Sequence, residues 1–476
     1  MTFLLALLLI SLLWTTNSNK HNRLHRTELI YIYNSTEWLH ITEAPLNPRA
    51  HNELMDVVLN AGAGPLVDTS LSLYHTDQYS LFQLIYNRAI KDPRRTMDPS
   101  KATSFLIPYD FASDVAFMTK RSGKKTSMDF RRCPLGDQVS SLLRASEWFQ
   151  RKQGRDHLLM VGMNYAMDHY ILKPKCKSFL LACSNCTKLA IDDYSYLYGN
   201  PLDGTTVRGD YWHAVPFPSD FHWTTKTKPP FPWENQHRPL LVSYVGSDKS
   251  YYGPARKIRQ SIISYCNAHP SICQHQTYGA NGTRDRTAVD GYNPHAASQA
   301  SVFCFQPIGD LMTRKGLFDA ILMGCIPVTF DVLTATVMYT WHWSELFWKA
   351  VSIEMPHNDV AHHHKDPVEY LYHLTQNLSA VIKEKQRLLS SRAFELHYAL
   401  DGKEEGGVWP KLNGEPMRDA YEIAIDHVLG WHSGKEPDER QGTVPECWGG
   451  YVNKTLNKCV PGQCSQEGVQ KGECVA

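Results

Sequence analysis

The sequence predicts an α/β protein: two Rossmann-like domains built on parallel sheets, followed by a small cysteine-rich tail. Three observations predict it. Short apolar runs that stop at Gly or Pro alternate with amphipathic stretches, the order expected of strands and crossover helices. A Lys-, Thr- and Pro-rich stretch, Thr224 to Pro232, separates two such series and reads as a linker. From Trp431 the chain turns polar and Gly-rich, with Cys447, Cys459, Cys464 and Cys474. Four cysteines allow three pairings, and the sequence does not choose among them.

Composition bounds the function. The 476 residues imply about two to three domains. With 42% hydrophobic and 20% charged residues, the chain has enough apolar material for a sizeable core. A formal net charge of +1 gives no whole-chain case for nucleic-acid binding or electrostatic membrane attachment. The 12 cysteines show no paired C-x-x-C zinc pattern. Cys183-Ser-Asn-Cys186 stands beside Cys176 and admits zinc or redox chemistry, but disulfides in an oxidising lumen are the preferred reading.

The N-terminus fits that compartment. A mostly leucine apolar run from Phe3 to Trp14 is short for a membrane span and suits a signal-peptide core. Residues 1–18 therefore read as a signal peptide or a short signal anchor. Sequons begin at Asn34, Asn185, Asn281, Asn377 and Asn453, as in a luminal glycoprotein.

The elements follow in order. Residues 27–232 form the first expected domain. Tyr74 to Arg95 has helical spacing through Phe82, Leu84, Ile85 and Ala89. The run Asp98 to Pro108 leads into a strand, with Asp110 and Asp114 in the next loop. Either carboxylate suits a cleft or a helix cap. Gln138 to Lys152 reads as an amphipathic helix, leading to the apolar run Leu158 to Val161 and then Asp168. His157 and Asp168 are the candidate bases. A lone His before a strand is more often structural, and Asp168, beyond the strand end, is the better placed of the two.

Residues 233–430 form the second expected domain. Pro239 to Gly246 reads as a strand, and Ala255 to Cys266 as a basic helix carrying Arg256, Lys257 and Arg259. Val302 to Gln306, a helix from Thr313, and Cys325 to Phe330 make a βαβ unit, with Gly324 as the helix stop. Thr313 or Asp310 is placed to cap that helix. Gly309 permits close approach of a ligand at the turn. Arg314 falls in the first helical turn, where a cation is disfavoured unless an anion is near, and where a guanidinium can grip a diphosphate. Asp319 is placed to accept from sugar or ribose hydroxyls. The simpler reading of the same pattern is a structural crossover with a surface Arg and Asp. His342 is a further candidate whose main competitor is burial. His362, His363 and His364 are adjacent and do not converge well on one ion, so no metal is expected. Ser379 to Leu400 and Met417 to Leu429 read as helices, the second closed by Gly430. Residues 431–476 form the disulfide-rich tail.

The run Phe303-Cys304-Phe305-Gln306-Pro307-Ile308-Gly309-Asp310, with Thr313-Arg314, Phe318-Asp319 and Gly324-Cys325-Ile326-Pro327-Val328, resembles the signature of the exostosin-like glycosyltransferase family. It is most similar to the plant xyloglucan galactosyltransferase branch, with F-C-L-Q-P-x-G-D-x-x-T-R-x-x-x-F-D-x-x-x-x-G-C-I-P-V-F-F. Gly154-Arg155-Asp156-His157 and Asp98-Pro99 with Ala102 also resemble that branch, as does Tyr339 to His342. Met163 and Met167 depart from its usual Arg and Trp, which puts carried-over contacts there in doubt.

The resemblance implies a GT-B-type fold with a cleft between the two domains, the acceptor glycan on the first and the nucleotide sugar on the second. It implies inverting transfer of a UDP-linked sugar, with galactose as the candidate, onto a glycan or polysaccharide. Gly309, Asp310, Thr313, Arg314 and Asp319 would hold the nucleotide sugar, and no metal or other cofactor would be required. A Golgi-lumenal protein, membrane-anchored or soluble, is expected, with secretion as the alternative. Complexes with other glycosyltransferases are open, and nucleic acid is not an expected partner. Two other classes compete: an inactive luminal glycan-binding or transferase-partner protein, and a carbohydrate-binding protein acting through its tail. A hydrolase is disfavoured by the lack of a G-x-S-x-G elbow and of a clear catalytic carboxylate pair.

Overall fold

The computed structural model describes residues 27–38, 58–114, 134–162, 177–192, 212–224, 232–248, 250, 253–276, 295–309, 312–355, 366–376, 378–400, 411–412, 415–435, 450–453 and 458–461. Asp168, Asp310, Met163, Met167, the three adjacent histidines and the tail cysteines Cys447, Cys464 and Cys474 lie outside them. In chain order the strands are β1 Ile30–Ile32, β2 Leu66–Asp68, β3 Leu73–Tyr74, β4 Arg95–Thr96, β5 Ser104–Leu106, β6 His157–Met160, β7 Thr187–Ala190 and β8 Trp212–Ala214. They continue as β9 Leu240–Val245, β10 Cys273–Gln276, β11 Ser301–Gln306, β12 Ile326–Thr329 and β13 Ile353–Glu354.

The chain divides into two compact units, and neither is contiguous. One gathers residues 1–27, 45–95 and 215–427; the other gathers 28–44, 96–214 and 428–476. The expected boundary near Trp233 thus differs from the observed crossing at Val215, ahead of the linker-like stretch.

The second of these units carries a six-stranded sheet of order β4-β1-β5-β6-β7-β8. Its pairs from β1 to β8 are parallel. Every residue of β5, β6 and β7 is buried, as parallel strands covered on both faces require. The amphipathic stretch 138–152 is two helices, Pro134–Ala145 and Glu147–Lys152, because Ser146 is extended. Cys183 and Cys186 form a disulfide. Beside them Lys188 is fully buried, its ammonium donating to the carbonyls of Ser184 (3.1 Å) and Cys186 (2.8 Å) and lying 5.6 Å from the Trp212 ring.

The first unit carries a five-stranded, wholly parallel sheet of order β10-β9-β11-β12-β13. The order reverses between β9 and β11. In open α/β sheets the crevice beyond the strand ends at such a reversal is where ligands bind. The expected helix 74–95 shrinks to Leu81–Ala89; Tyr74 joins β3, and Pro93 follows the helix where it cannot continue. The βαβ unit is present as β11, helix Lys315–Leu322 and β12. Gly324 ends that helix at φ +70°, with its N–H on Ile321 and the Cys325 N–H on Ala320, a left-handed C-terminal cap. Cys304 and Cys325 are bonded, joining β11 to the entry of β12. Gly430 lies inside the helix Ala420–His432 rather than closing it; Gly434 has the left-handed backbone. Among the described residues no helix is long and apolar enough to cross a membrane.

Candidate active site

Val245 ends β9 and Pro307 follows β11, on either side of the reversal. Arg314 joins them. Its guanidinium donates to the Pro307 carbonyl and, at 3.5 Å, to the Val245 carbonyl, and sits 5.8 Å from the Tyr244 ring. Gly246 is needed at the end of β9: a Cβ there would lie 3.2 Å from the Arg314 guanidinium and 2.8 Å from the Tyr244 hydroxyl. Arg314 is not in the first helical turn. It has extended φ and ψ and caps the Lys315–Leu322 helix without a side-chain cap bond, so Thr313 does not hold the cap position, while Asp310 lies outside the described residues. Thr313 is buried, and the Gly309 carbonyl accepts from the Ser250 hydroxyl at 2.7 Å.

The basic helix Gly253–Ala268 braces the same loops. Arg259 is buried and donates to the carbonyls of Ile308 (2.9 Å), Ser247 (3.1 Å) and Pro307 (3.4 Å). Arg256 is exposed and holds the Ser250 carbonyl through two nitrogens. These arginines shape the loops around the crevice.

Below Arg314 lies a buried ionic cluster. The Lys315 ammonium lies 2.6 Å from Asp220 and 2.9 Å and 3.1 Å from the two Asp319 oxygens. The Asp220 N–H donates to Asp319 at 2.9 Å, and the Thr76 N–H to Asp220 at 3.1 Å. His295 Nε2 pairs with the other Asp220 oxygen at 2.8 Å. The ligand atoms of Asp220, His295 and Asp319 fall within 4.8 Å of one another, but the Lys315 ammonium already supplies their cation. Burial alone would raise the Asp220 carboxyl; the Lys315 charge and the His295 bond outweigh it and hold Asp220 well below the usual range. Burial pushes Asp319 up, with Lys315 opposing. Lys315 is raised, because its two carboxylates outweigh its burial.

Lys315 is thus the cation in the first helical turn, and the two aspartates are the anions that make it tolerable. Asp319 is 2% exposed, and its carboxylate serves these internal contacts. Asp220, His295 and Lys315 were missed by sequence reasoning: Asp220 and Asp319 are 99 positions apart, and no local pattern links them. His342 is buried, its Nε2 on the Ala420 carbonyl at 3.2 Å, and burial lowers it to about 3.

In the other unit, His157 opens β6, at the end of the strand away from the ligand-binding edge. It is fully buried. Nδ1 bonds Asp156 at 2.9 Å and Nε2 the Tyr33 hydroxyl at 2.8 Å, and the ring stacks 4.9 Å from Phe105. Burial lowers its pKa, with Asp156 opposing. This is a packed structural histidine. Asp114 is buried, accepts from the Tyr109 hydroxyl at 2.7 Å and is pushed up by burial to about 6.

Comparison with known proteins decides the family. The exostosin GT47 domain matches residues 26–368. The chain belongs to the exostosin GT47 family. Among relatives of this GT47 chain, "Xyloglucan-specific galacturonosyltransferase 1" of Arabidopsis thaliana is 27% identical over 364 residues, covering 75% of this chain and 49% of the relative. "Probable xyloglucan galactosyltransferase GT20" of the same plant is 28% identical over 362 residues, covering 75% and 58%. "Probable xyloglucan galactosyltransferase GT19" is 27% identical over 406 residues, covering 79% and 83%. The chain spans about half the length of the first of these relatives. Among solved structures, "S. aureus MnaA-UDP co-structure" aligns over 87% of this chain and 98% of its own at 9% identity, with a TM-score of 0.31. The α/β assignment rests on the sheet topology, not on that likeness.

Proposed function

We propose that this GT47 chain transfers a sugar from a UDP-linked nucleotide sugar, with UDP-galactose as the candidate donor, to a glycan or polysaccharide, with inversion. The observation that carries the reading is the position of Arg314, bridging the ends of β9 and β11 where the strand order reverses. A guanidinium there, ahead of a helix N-terminus, suits a diphosphate. The xyloglucan glycosyltransferase names of the relatives support the substrate class.

In the proposed reaction an acceptor hydroxyl gives up its proton to a base as its oxygen attacks the anomeric carbon. The bond to the diphosphate breaks on the opposite face, through an oxocarbenium-like transition state. Arg314 and the first N–H groups of the Lys315–Leu322 helix stabilise charge growing on the departing diphosphate. Lys315, Asp220 and Asp319 keep that helix start in place. Asp168 is the proposed base; the burial and saturated ring nitrogens of His157 speak against the alternative. The disulfides Cys183–Cys186, Cys266–Cys273 and Cys304–Cys325 support an oxidising lumen, which we assign to the Golgi. Attachment through the N-terminal apolar run and association with other glycosyltransferases belong to the same proposal.

Titration calorimetry of the full chain with UDP, UDP-galactose, UDP-glucuronate, UDP-xylose and GDP-sugars tests it, with Arg314→Ala alongside. One donor should bind, and the variant should lose it. A folded chain that binds no nucleotide refutes the transferase reading in favour of a glycan-binding partner.

A further inference from the structure

One sheet edge in the Arg314 unit ends in polar side chains that the cluster above does not use. Gln306, Thr329 and Glu354 lie in one row across β11, β12 and β13, since Gln306 pairs with Thr329 and Thr329 with Glu354. Residues in register on adjacent strands share a face. Asp331 comes two residues after Thr329, past the end of β12 and with extended backbone. The row lies at the C-terminal edge, beside the crevice that Arg314 bridges.

Three buried oxygens at this edge have no hydrogen-bond partner among the described residues: Gln306 Oε1, Asp331 Oδ2 and Thr334 Oγ1. Asp331 is 4% exposed. Its Oδ1 accepts from the Leu333 N–H at 2.7 Å, so the side chain is held at the start of the turn Val332–Thr334 while Oδ2 is left over. Thr334 belongs to the same turn, its N–H on the Asp331 carbonyl at 3.1 Å. Gln306 Oε1 lies 3.3 Å from where Gly316 would carry a Cβ, which puts it against the first turn of the Lys315–Leu322 helix. A buried acceptor without a donor costs about 1–3 kcal/mol, and native proteins keep few of them. A carboxylate, an amide and a hydroxyl oxygen at the ends of neighbouring strands β11 and β12, with an exposed Glu354 at the rim, match a ligand rich in neutral O–H donors. They do not match a phosphate, which two carboxylates would repel.

We propose that the ends of β11, β12 and β13 form a sugar-hydroxyl subsite, with Asp331 as its buried acceptor and Gln306, Thr334 and Glu354 around it. The chemistry is that of vicinal hydroxyls on a sugar ring, from either the ribose of the nucleotide or the transferred sugar. The subsite rests on the nucleotide-sugar reading above. Adjacent strands are about 4.8 Å apart, so three strand ends span about 10 Å, enough for one ring.

The test uses the full chain with Asp331→Asn and Thr334→Val. Asparagine keeps the cap on the Leu333 N–H, so the turn survives. Calorimetry compares UDP, 2′-deoxy-UDP and the preferred UDP-sugar. Loss of about tenfold for UDP-sugar alone in Asp331→Asn assigns the transferred sugar. An equal loss for UDP, absent with 2′-deoxy-UDP, assigns the ribose. Wild-type affinity for all three in a folded Asp331→Asn chain overturns the subsite while leaving the transferase reading intact. A wild-type chain that binds no nucleotide refutes the transferase reading. The subsite then stands if free hexose raises the thermal midpoint of wild type but not of Asp331→Asn, and falls if it raises neither.

Discussion

Replacing Lys315 by methionine removes the cation that two buried carboxylates share. The 2.6 Å and 2.9 Å contacts each carry a Coulomb attraction of about 6 kcal/mol at an effective dielectric of about 20, before the cost of desolvation. Without the ammonium, Asp220 and Asp319 face each other across less than 4.8 Å. Protonating one of them limits the damage. Starting from an ordinary carboxyl pKa near 4, that costs about 4 kcal/mol at pH 7 and about 1–1.5 kcal/mol at pH 5. The figure at pH 7 agrees with the 3–5 kcal/mol typical of breaking one partner from a buried pair. The sign follows: in the variant one carboxyl has a raised folded-state pKa, so stability is lost as pH rises. In wild type Asp220 is held low, and its contribution is lost only as pH falls below the ordinary carboxyl range. The assay is urea unfolding of the full chain at pH 7 and pH 5. Lys315→Met should lose about 3–5 kcal/mol at pH 7 and about 1–2 kcal/mol at pH 5. A loss below about 1 kcal/mol at pH 7, or a gap that does not narrow at pH 5, would refute the cluster as the support of the helix start. Asp319→Asn, which keeps the Asp220 pair, should be milder at both pH values.

Three further outcomes are expected. Burial pushes the Lys188 ammonium down to about 7, so the unfolded chain binds the extra proton above that pH. Wild type should therefore gain about 2–3 kcal/mol between pH 7 and pH 9, and Lys188→Met should lack that gain; parallel stability curves for the two proteins would rule this out. Gly324→Ala places a Cβ 2.2 Å from the Trp233 ring at a left-handed backbone position, and should cost at least about 2 kcal/mol in denaturant midpoint. Gly316→Ala, helical and 3.3 Å from a flexible glutamine oxygen, should stay within about 1 kcal/mol of wild type; a reversed order would contradict the packing. His157→Ala should lower the thermal midpoint by an amount equivalent to about 2–4 kcal/mol while leaving nucleotide affinity unchanged. An unchanged midpoint with abolished transfer would restore His157 as a base.

Sequence reading reached the βαβ unit within a residue or two, because β11 and β12 are continuous apolar runs and Gly324 marks the helix end. It overextended helix 74–95, since periodicity alone does not register that Tyr74 is drawn into a two-stranded pairing and Arg95 into another strand. It placed Arg314 one position too far into the helix. That matters: an extended cap residue can turn its guanidinium back to Val245 and Pro307, whereas a helical one projects along the helix.

The sequence by itself determined the α/β class, the family signature and the disulfide chemistry of the cysteines. Each is written in local spacing: apolar runs, turn residues, short motifs. Only the tertiary structure decided what Asp319, Lys315 and His157 do. Asp319 meets Asp220 from 99 positions away, His295 joins from 75, and His157 closes against Tyr33 from 124. Whether a carboxylate faces a ligand or an ammonium, and whether an imidazole is free to take a proton, depends on burial and on partners brought by the chain's return. That information is absent from any local window.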